Sequence, residues 1–185
     1  MSKYKGTQTE KNLLEAFAGE SMAHCRYTYF SRRAAKEGYD GIRRIFELTA
    51  AQEMAHGYRW FTELNAIGQT SDNLKTAMEG EHWEWTEMYS GFAKVAKEEG
   101  FPEMAALFEM AAKAEEAHEK RFERYRIQLL DGTLYRAEKP VEWRCQNCNH
   151  VFIGTTPPAV CPLCAHPQGF FQRQTGMICM DMDLN

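Results

Sequence analysis

The sequence predicts a mainly α protein: a four-helix bundle followed by a small β domain organised around four cysteines. Three observations carry this expectation. Residues 7–130 are rich in Ala, Glu, Lys, Leu, Met and Phe and contain a single proline, Pro102, a composition that favours helix. Glu and His recur along that stretch at helical spacings. Beyond Lys139-Pro140 the chain changes character, and five of its six cysteines fall there.

The breaks between elements are legible in order. A first helix is expected from about Thr9 to Lys36, stopped by Gly38. A second opens after Asp40, carries Ile45, Leu48, Ala51, Ala55 and Trp60, and ends near Gly68. Ser71-Asp72-Asn73 is a capping cluster that opens a short stretch to Met78, which Gly80 interrupts. A third main helix is expected from about Glu81 to Glu99, ended by Gly100. Pro102 sits where the first turn of a helix tolerates proline, and the fourth helix runs to about Leu130, stopping at Asp131-Gly132. Four helices with short links make a bundle. Trp143, Val151, Phe152 and Ile153 then suggest short strands, while Pro157, Pro158, Pro162 and Pro167 forbid long helices. The domains are read as residues 1–137 and 138–185. The first is long enough for an ordinary hydrophobic core; the second needs a metal or a disulfide to fold.

Bulk properties exclude several function classes. The net charge is −4 without a basic patch, which makes DNA and RNA poor partners. No apolar run approaches the ~20 residues that span a bilayer. The opening Met-Ser-Lys-Tyr-Lys-Gly has no apolar leader, so a cytoplasmic address is expected. In a reducing compartment paired C-x-x-C motifs signal metal or redox chemistry more often than disulfides.

Glu53-Met-Ala-His56 lies in the second helix and Glu115-Glu-Ala-His118 in the fourth. A spacing of i, i+3 puts both side chains of each motif on one helical face. Singly, such motifs also occur on solvated faces, as Glu79-Gly-Glu-His82 illustrates. Their companions give them force. Glu20 sits among Leu13, Leu14, Phe17, His24 and Tyr27 on the first helix, and Glu81 and Glu84 stand at i, i+3 on the third. A Glu on each of two helices with Glu-x-x-His on the other two is the ligand set of di-iron and di-manganese bundles. Five carboxylates facing one core are tolerable only if cations neutralise them, and two ferrous ions supply four positive charges. His24 and His82 are read as surface or core-edge residues.

Cys145-Gln-Asn-Cys148 and Cys161-Pro-Leu-Cys164 are two knuckles separated by twelve residues, a spacing that lets four thiolates converge on one tetrahedral ion. Iron and zinc use the same ligands and geometry there. Cys25 and Cys179 have no partner at motif spacing and are read as structural.

Together these residues resemble the rubrerythrin family over nearly the whole chain, in the order Glu20, Glu53-x-x-His56, Glu81-x-x-Glu84, Glu115-x-x-His118, Cys145-x-x-Cys148 and Cys161-Pro-x-Cys164. The resemblance implies a ferritin-like four-helix bundle with two iron ions, and a small rubredoxin-like domain with one iron, or zinc, on its four cysteines. It implies that Glu53 and Glu115 bridge the irons, that Glu20 binds one, and that Glu81 with His118 binds the other. Glu84 would exchange with His56 on reduction, and Tyr27 and Tyr89 would hydrogen-bond around the ligands. Rubredoxin-type knuckles favour positive φ at the positions held here by Asn149 and Ala165. The implied activity is a peroxidase that reduces hydrogen peroxide to water in oxidative-stress defence. Electrons would come through the rubredoxin-like iron from a rubredoxin or an NAD(P)H-dependent reductase. The alternative is a ferroxidase or iron-handling protein with a structural zinc site.

The link between the second and third helices is short. A helix travels about 22 Å from Glu53 to Gly68 at roughly 1.5 Å per residue. Residues 68–80 must then return to metal depth. This suggests a homodimer in which the first two helices pair with the last two of a partner chain, a domain swap.

Overall fold

The computed structural model describes residues 2–173. Cys179 and the tail from Gln174, to which the sequence assigns no role, lie outside the described residues. Five α-helices precede three short strands: α1 (Gln8–Lys36), α2 (Asp40–Glu63), α3 (Thr70–Trp83), α4 (Tyr89–Glu98), α5 (Pro102–Leu130), β1 (Val141–Cys145), β2 (Val151–Gly154) and β3 (Phe171–Arg173). A π-helical turn, Glu84–Met88, joins α3 to α4 without a break, so together they form the third long helix. None of these helices is long and apolar enough to cross a membrane.

The helix ends follow from local chemistry. The Thr7 side chain accepts the Glu10 amide at 3.2 Å, while the Glu10 carboxylate accepts from the Gly6 amide at 2.7 Å, which satisfies orphan donors at the start of α1. Gly38 (φ 81°) and Gly100 (φ 83°) adopt the left-handed conformation that closes α1 and α4. Two expectations need correction. The second helix ends at Glu63 rather than near Gly68, because Asn65 takes φ 55° and its amide turns back to the Thr62 carbonyl; asparagine tolerates that conformation nearly as well as glycine. Gly80 does not interrupt the third helix, which runs from Thr70 straight through it. An interior glycine costs only ~1 kcal/mol, less than uninterrupted helix on both sides returns.

The chain divides after Asn73 into two compact units. In the first, α1 and α2 form an antiparallel hairpin across Glu37–Tyr39, with Phe17 stacked on Phe61 (centroids 4.7 Å apart) and Tyr27, Phe30 and Phe46 clustered. In the second, α4 and α5 close on Ala93, Ala96 and Ala105, with Phe108 against them. The passage from helix to sheet, at which the domains were divided, falls within this unit, between Leu130 and Val141. The sheet has the order β2-β1-β3, all antiparallel, with Trp143 opposite Phe152 and Arg173. Its core is Trp143, Cys145, Cys161 and Phe171, and the Trp143 indole donates to the Gly154 carbonyl at 2.9 Å.

Candidate metal centres

The helical ligands come together as two equivalent groups. Glu20 of α1 meets Glu53 and His56 of α2, and Glu81 of α3 meets Glu115 and His118 of α5, with ligand atoms in each group within 4.8 Å of one another. His56 Nδ1 lies 2.9 Å from Glu53 and 3.8 Å from Glu20. His118 Nδ1 lies 2.6 Å from Glu115 and 3.5 Å from Glu81. Each group thus brings one imidazole nitrogen and two carboxylates close enough to share a divalent ion. Oxygen donors with one imidazole suit iron or manganese, so the residues present fit a di-metal carboxylate site.

The second group shows the electrostatic cost of this arrangement. Burial pushes the Glu81 carboxyl above its ordinary range, and the neighbouring Glu115 and Glu84 add to the effect while His118 opposes it. Glu84 belongs to neither group of three; it opens the π turn one helical turn beyond Glu81. That turn was not foreseen, and an inserted residue of this kind often marks a functional site in a helix. Glu119 was also missed. It accepts from His82 at 3.0 Å and from the Trp85 indole at 2.5 Å, tying both ends of the α3–π junction to α5. No spacing announces such a contact. His82 is therefore a positioning residue for this segment, while His24 contacts the Ala50 carbonyl through Nδ1 at 2.8 Å. Tyr27 packs with Phe30 and Phe46, and Tyr89 with Phe92 and Phe108. The hydrogen bonds implied for their hydroxyls are not made to any ligand of their own unit.

The four-cysteine site is built from two copies of one backbone turn. The amides of Asn149 and Ala165 donate to the carbonyls of Cys145 and Cys161 at 2.8 and 2.9 Å, and those of Cys145 and Cys161 to the carbonyls of His150 and His166. Asn149 (φ 63°) and Ala165 (φ 58°) both take the left-handed conformation expected of them. The Sγ–Sγ distances are 3.7 Å for Cys145–Cys164 and 3.6 Å for Cys148–Cys161, close to the edge of about 3.8 Å that a tetrahedron with ~2.3 Å metal–sulfur bonds requires. Cys164 is held down to about 5 by the His166 amide, with Cys148 assisting against burial. Cys148 is pushed up to about 12: the His150 amide lowers it, but burial and hydrogen bonds to the other three thiols prevail. Four crowded sulfurs shed all their protons only when a cation takes the place of those protons. Cys25 is exposed and is not one of the four.

Ala165 carries a penalty of left-handed backbone without glycine's freedom. Ala165→Gly is expected to stabilise the β domain by about 1 kcal/mol, measured as a higher denaturation midpoint of the metal-loaded protein.

These features define a class of protein, a helical di-metal carboxylate protein joined to a four-thiolate domain. The family model described as Rubrerythrin matches residues 11–126, and the one described as Rubrerythrin, rubredoxin-like domain matches residues 143–172. The chain is 43% identical over 181 residues to the rubrerythrin of Porphyromonas gingivalis, covering 91% of this chain and 90% of that one. It is 44% identical over 185 residues to the rubrerythrin of Nitratidesulfovibrio vulgaris, covering 93% and 97%. The chain belongs to the rubrerythrin family, with the ferritin-like and rubredoxin-like parts expected from its motifs. A solved structure titled "Partially Reduced State of Nigerythrin" is similar over 94% of this chain and 90% of that one, at 28% identity and a TM-score of 0.35.

Proposed function

We propose that this protein is a non-haem di-iron peroxidase, cytoplasmic, that reduces hydrogen peroxide in oxidative-stress defence. The observation that carries the reading is the presence in one chain of two matched carboxylate–histidine groups and a four-thiolate group. Glu53 and Glu115 would bridge two irons, Glu20 would hold one, and Glu81 with His118 the other; Cys145, Cys148, Cys161 and Cys164 would hold a third. Iron in these sites supplies the electrons for H2O2 + 2 e− + 2 H+ → 2 H2O, two at a time in the helices and one at a time in the cysteine site.

The chain's own groups make this workable. Glu20, Glu53, Glu81, Glu84 and Glu115 bring five negative charges to a site whose ions bring four positive ones, so the loaded site is nearly neutral. His56 is the more exposed of the two ligand histidines, at 58% against 37% for His118. It is therefore the freer to turn, as an exchange with Glu84 demands. Tyr27 and Tyr89 would hydrogen-bond around the ligands of the loaded site. Electrons would arrive from a rubredoxin or an NAD(P)H-dependent reductase.

The test is anaerobic. The fully reduced protein is mixed separately with peroxide and with oxygen while the visible thiolate-to-iron absorption is followed. Rapid return of colour with peroxide, much faster than with oxygen, is the expected result. Colour returning no faster with peroxide overturns the peroxidase reading in favour of iron oxidation or storage, and a colourless protein indicates zinc in the knuckles. His56→Ala is expected to slow peroxide turnover at least about tenfold while leaving the thiolate–iron spectrum intact. Unchanged turnover removes His56 from the mechanism.

A further inference from the structure

Between the end of α5 and the sheet lies a cleft of about 540 Å³, within the range of about 300–1,000 Å³ usual for small-molecule sites. None of the proposed metal ligands lines it. One short segment holds both of its sides. The amides of Thr133 and Leu134 donate to the Gln128 carbonyl of α5 at 2.9 and 3.1 Å, and the Ala137 amide donates to the Thr155 carbonyl at 2.8 Å. Tyr135, between these anchors, packs on the core that Trp143 and Phe171 share. Backbone hydrogen bonds therefore tie the walls to each other, and the concavity is preformed.

The lining is basic. Arg124 comes from α5, Arg136 from the connection and Arg173 from β3, with no carboxylate among them, in a chain whose 26 acidic residues outnumber its 22 basic ones. Elsewhere Arg33, Arg43, Arg44, Arg59 and Arg144 hold carboxylates. Among the described residues, the guanidinium groups of Arg124, Arg136 and Arg173 have neither an ion pair nor a hydrogen bond; Arg124 lies 5.2 Å from the centre of the Tyr125 ring. An adjoining groove shares Arg136 and Arg173 and adds Lys139 and one acid, Glu138. Three like charges on one concave surface raise the local potential and favour a multiply charged anion, and guanidinium forks match the oxygens of phosphate. The rest of the lining suits a flat heterocycle. Tyr125 and Tyr135 are half-buried and supply aromatic surface. The side-chain amides of Gln128 and Gln172 make no hydrogen bond among the described residues, and each offers both donors and an acceptor to the edge of a base.

We infer that this cleft is a nucleotide site, with the phosphates against Arg124, Arg136 and Arg173 and the base against Tyr125 and Tyr135, its edge toward Gln128 and Gln172. A nucleotide satisfies both the charged and the aromatic part of the lining, which neither a bare anion nor an uncharged ring does. Gln146 lines the same cleft from within the first cysteine knuckle, and its amide donates to the Phe170 carbonyl at 2.8 Å, so the ligand rests beside the turn that presents Cys145. The site uses none of the helical ligands and does not depend on the peroxidase reading.

The experiment is isothermal titration of the full-length, metal-loaded protein with ADP, and separately with adenosine and with inorganic phosphate. ADP is expected to bind once per chain, and adenosine and inorganic phosphate each at least about tenfold more weakly. Arg136→Gln combined with Arg173→Gln is expected to weaken ADP binding at least about tenfold. Both side chains are exposed, and the far-ultraviolet helical signal with the thiolate–metal absorption checks that the double variant is folded and loaded. Absence of ADP binding at about 1 mM overturns the proposal. So does adenosine or inorganic phosphate bound as tightly as ADP, or an ADP affinity unchanged in the folded double variant. Where the double variant does not fold, salt decides on the native protein. Raising KCl tenfold from about 50 mM is expected to weaken ADP binding severalfold, and an affinity independent of salt overturns the assignment.

Discussion

Glu81→Gln is expected to lower peroxide turnover by about 10³-fold or more, because a neutral amide replaces the carboxylate proposed as a ligand and the metal's contribution is worth several kcal/mol at 1.36 kcal/mol per decade. The same variant is expected to make the metal-free protein more stable at neutral pH. Glu81 is the group whose carboxyl is raised by burial, by Glu115 and by Glu84, against the attraction of His118. A carboxyl raised in the folded state favours folding below its ordinary range near 4.5 and opposes it as pH climbs through the raised value. Metal-free native protein should therefore lose stability from about pH 4.5 upward more steeply than Glu81→Gln. The variant's melting temperature should exceed the native one at pH 8, with the gap closing at pH 4. Iron content and thermal melts with and without chelator check both halves. A variant that keeps its iron, or a metal-free variant that melts below the native protein at pH 8, contradicts the assignment.

Cys161→Ser is expected to unfold the β domain while leaving the helices formed. Cys161 is at once one of the four thiols proposed to hold the metal and one of four buried residues in that domain's core, beside Trp143, Cys145 and Phe171. Three short strands and a core this small cannot offset their own ordering entropy. The binding free energy of a structural four-thiolate ion, on the order of 10 kcal/mol, is in such domains the folding free energy. Removing one thiolate leaves three ligands and a buried hydroxyl without its partners. Backbone amide NMR signals of residues 141–173 should collapse to unfolded shifts, while the far-ultraviolet helical signal persists. Native-like dispersion of those signals with no metal bound would show that packing alone holds the sheet.

Local geometry made most of the candidate site legible. Glu-x-x-His at i, i+3 shares a helical face wherever the helix lies, so Glu53 with His56 and Glu115 with His118 could be paired before any fold was known. The cysteine knuckles are equally local, and the left-handed Asn149 and Ala165 follow from the turn that each pair of thiols requires. The helix ends at Lys36 and Leu130 match the expected ones because glycine's backbone freedom is a property of the residue itself.

Other features had no local signal. The π turn at Glu84–Met88 adds a residue to a helix whose composition is ordinary, and the contact of Glu119 with His82 and Trp85 depends on how α5 lies against that turn. Gly80 looked like a break and is not one. Asn65 ends α2 ahead of the glycine expected to do so. The sequence by itself determined the elements, the ligands each one carries and the turns that present the thiols, because these depend on periods of three to four residues. Tertiary structure decided which ligands stand within bonding distance of one another, where the third helix is wound differently, and which apolar faces are left open. Those depend on packing between elements far apart in the chain, where burial and electrostatics override local preference.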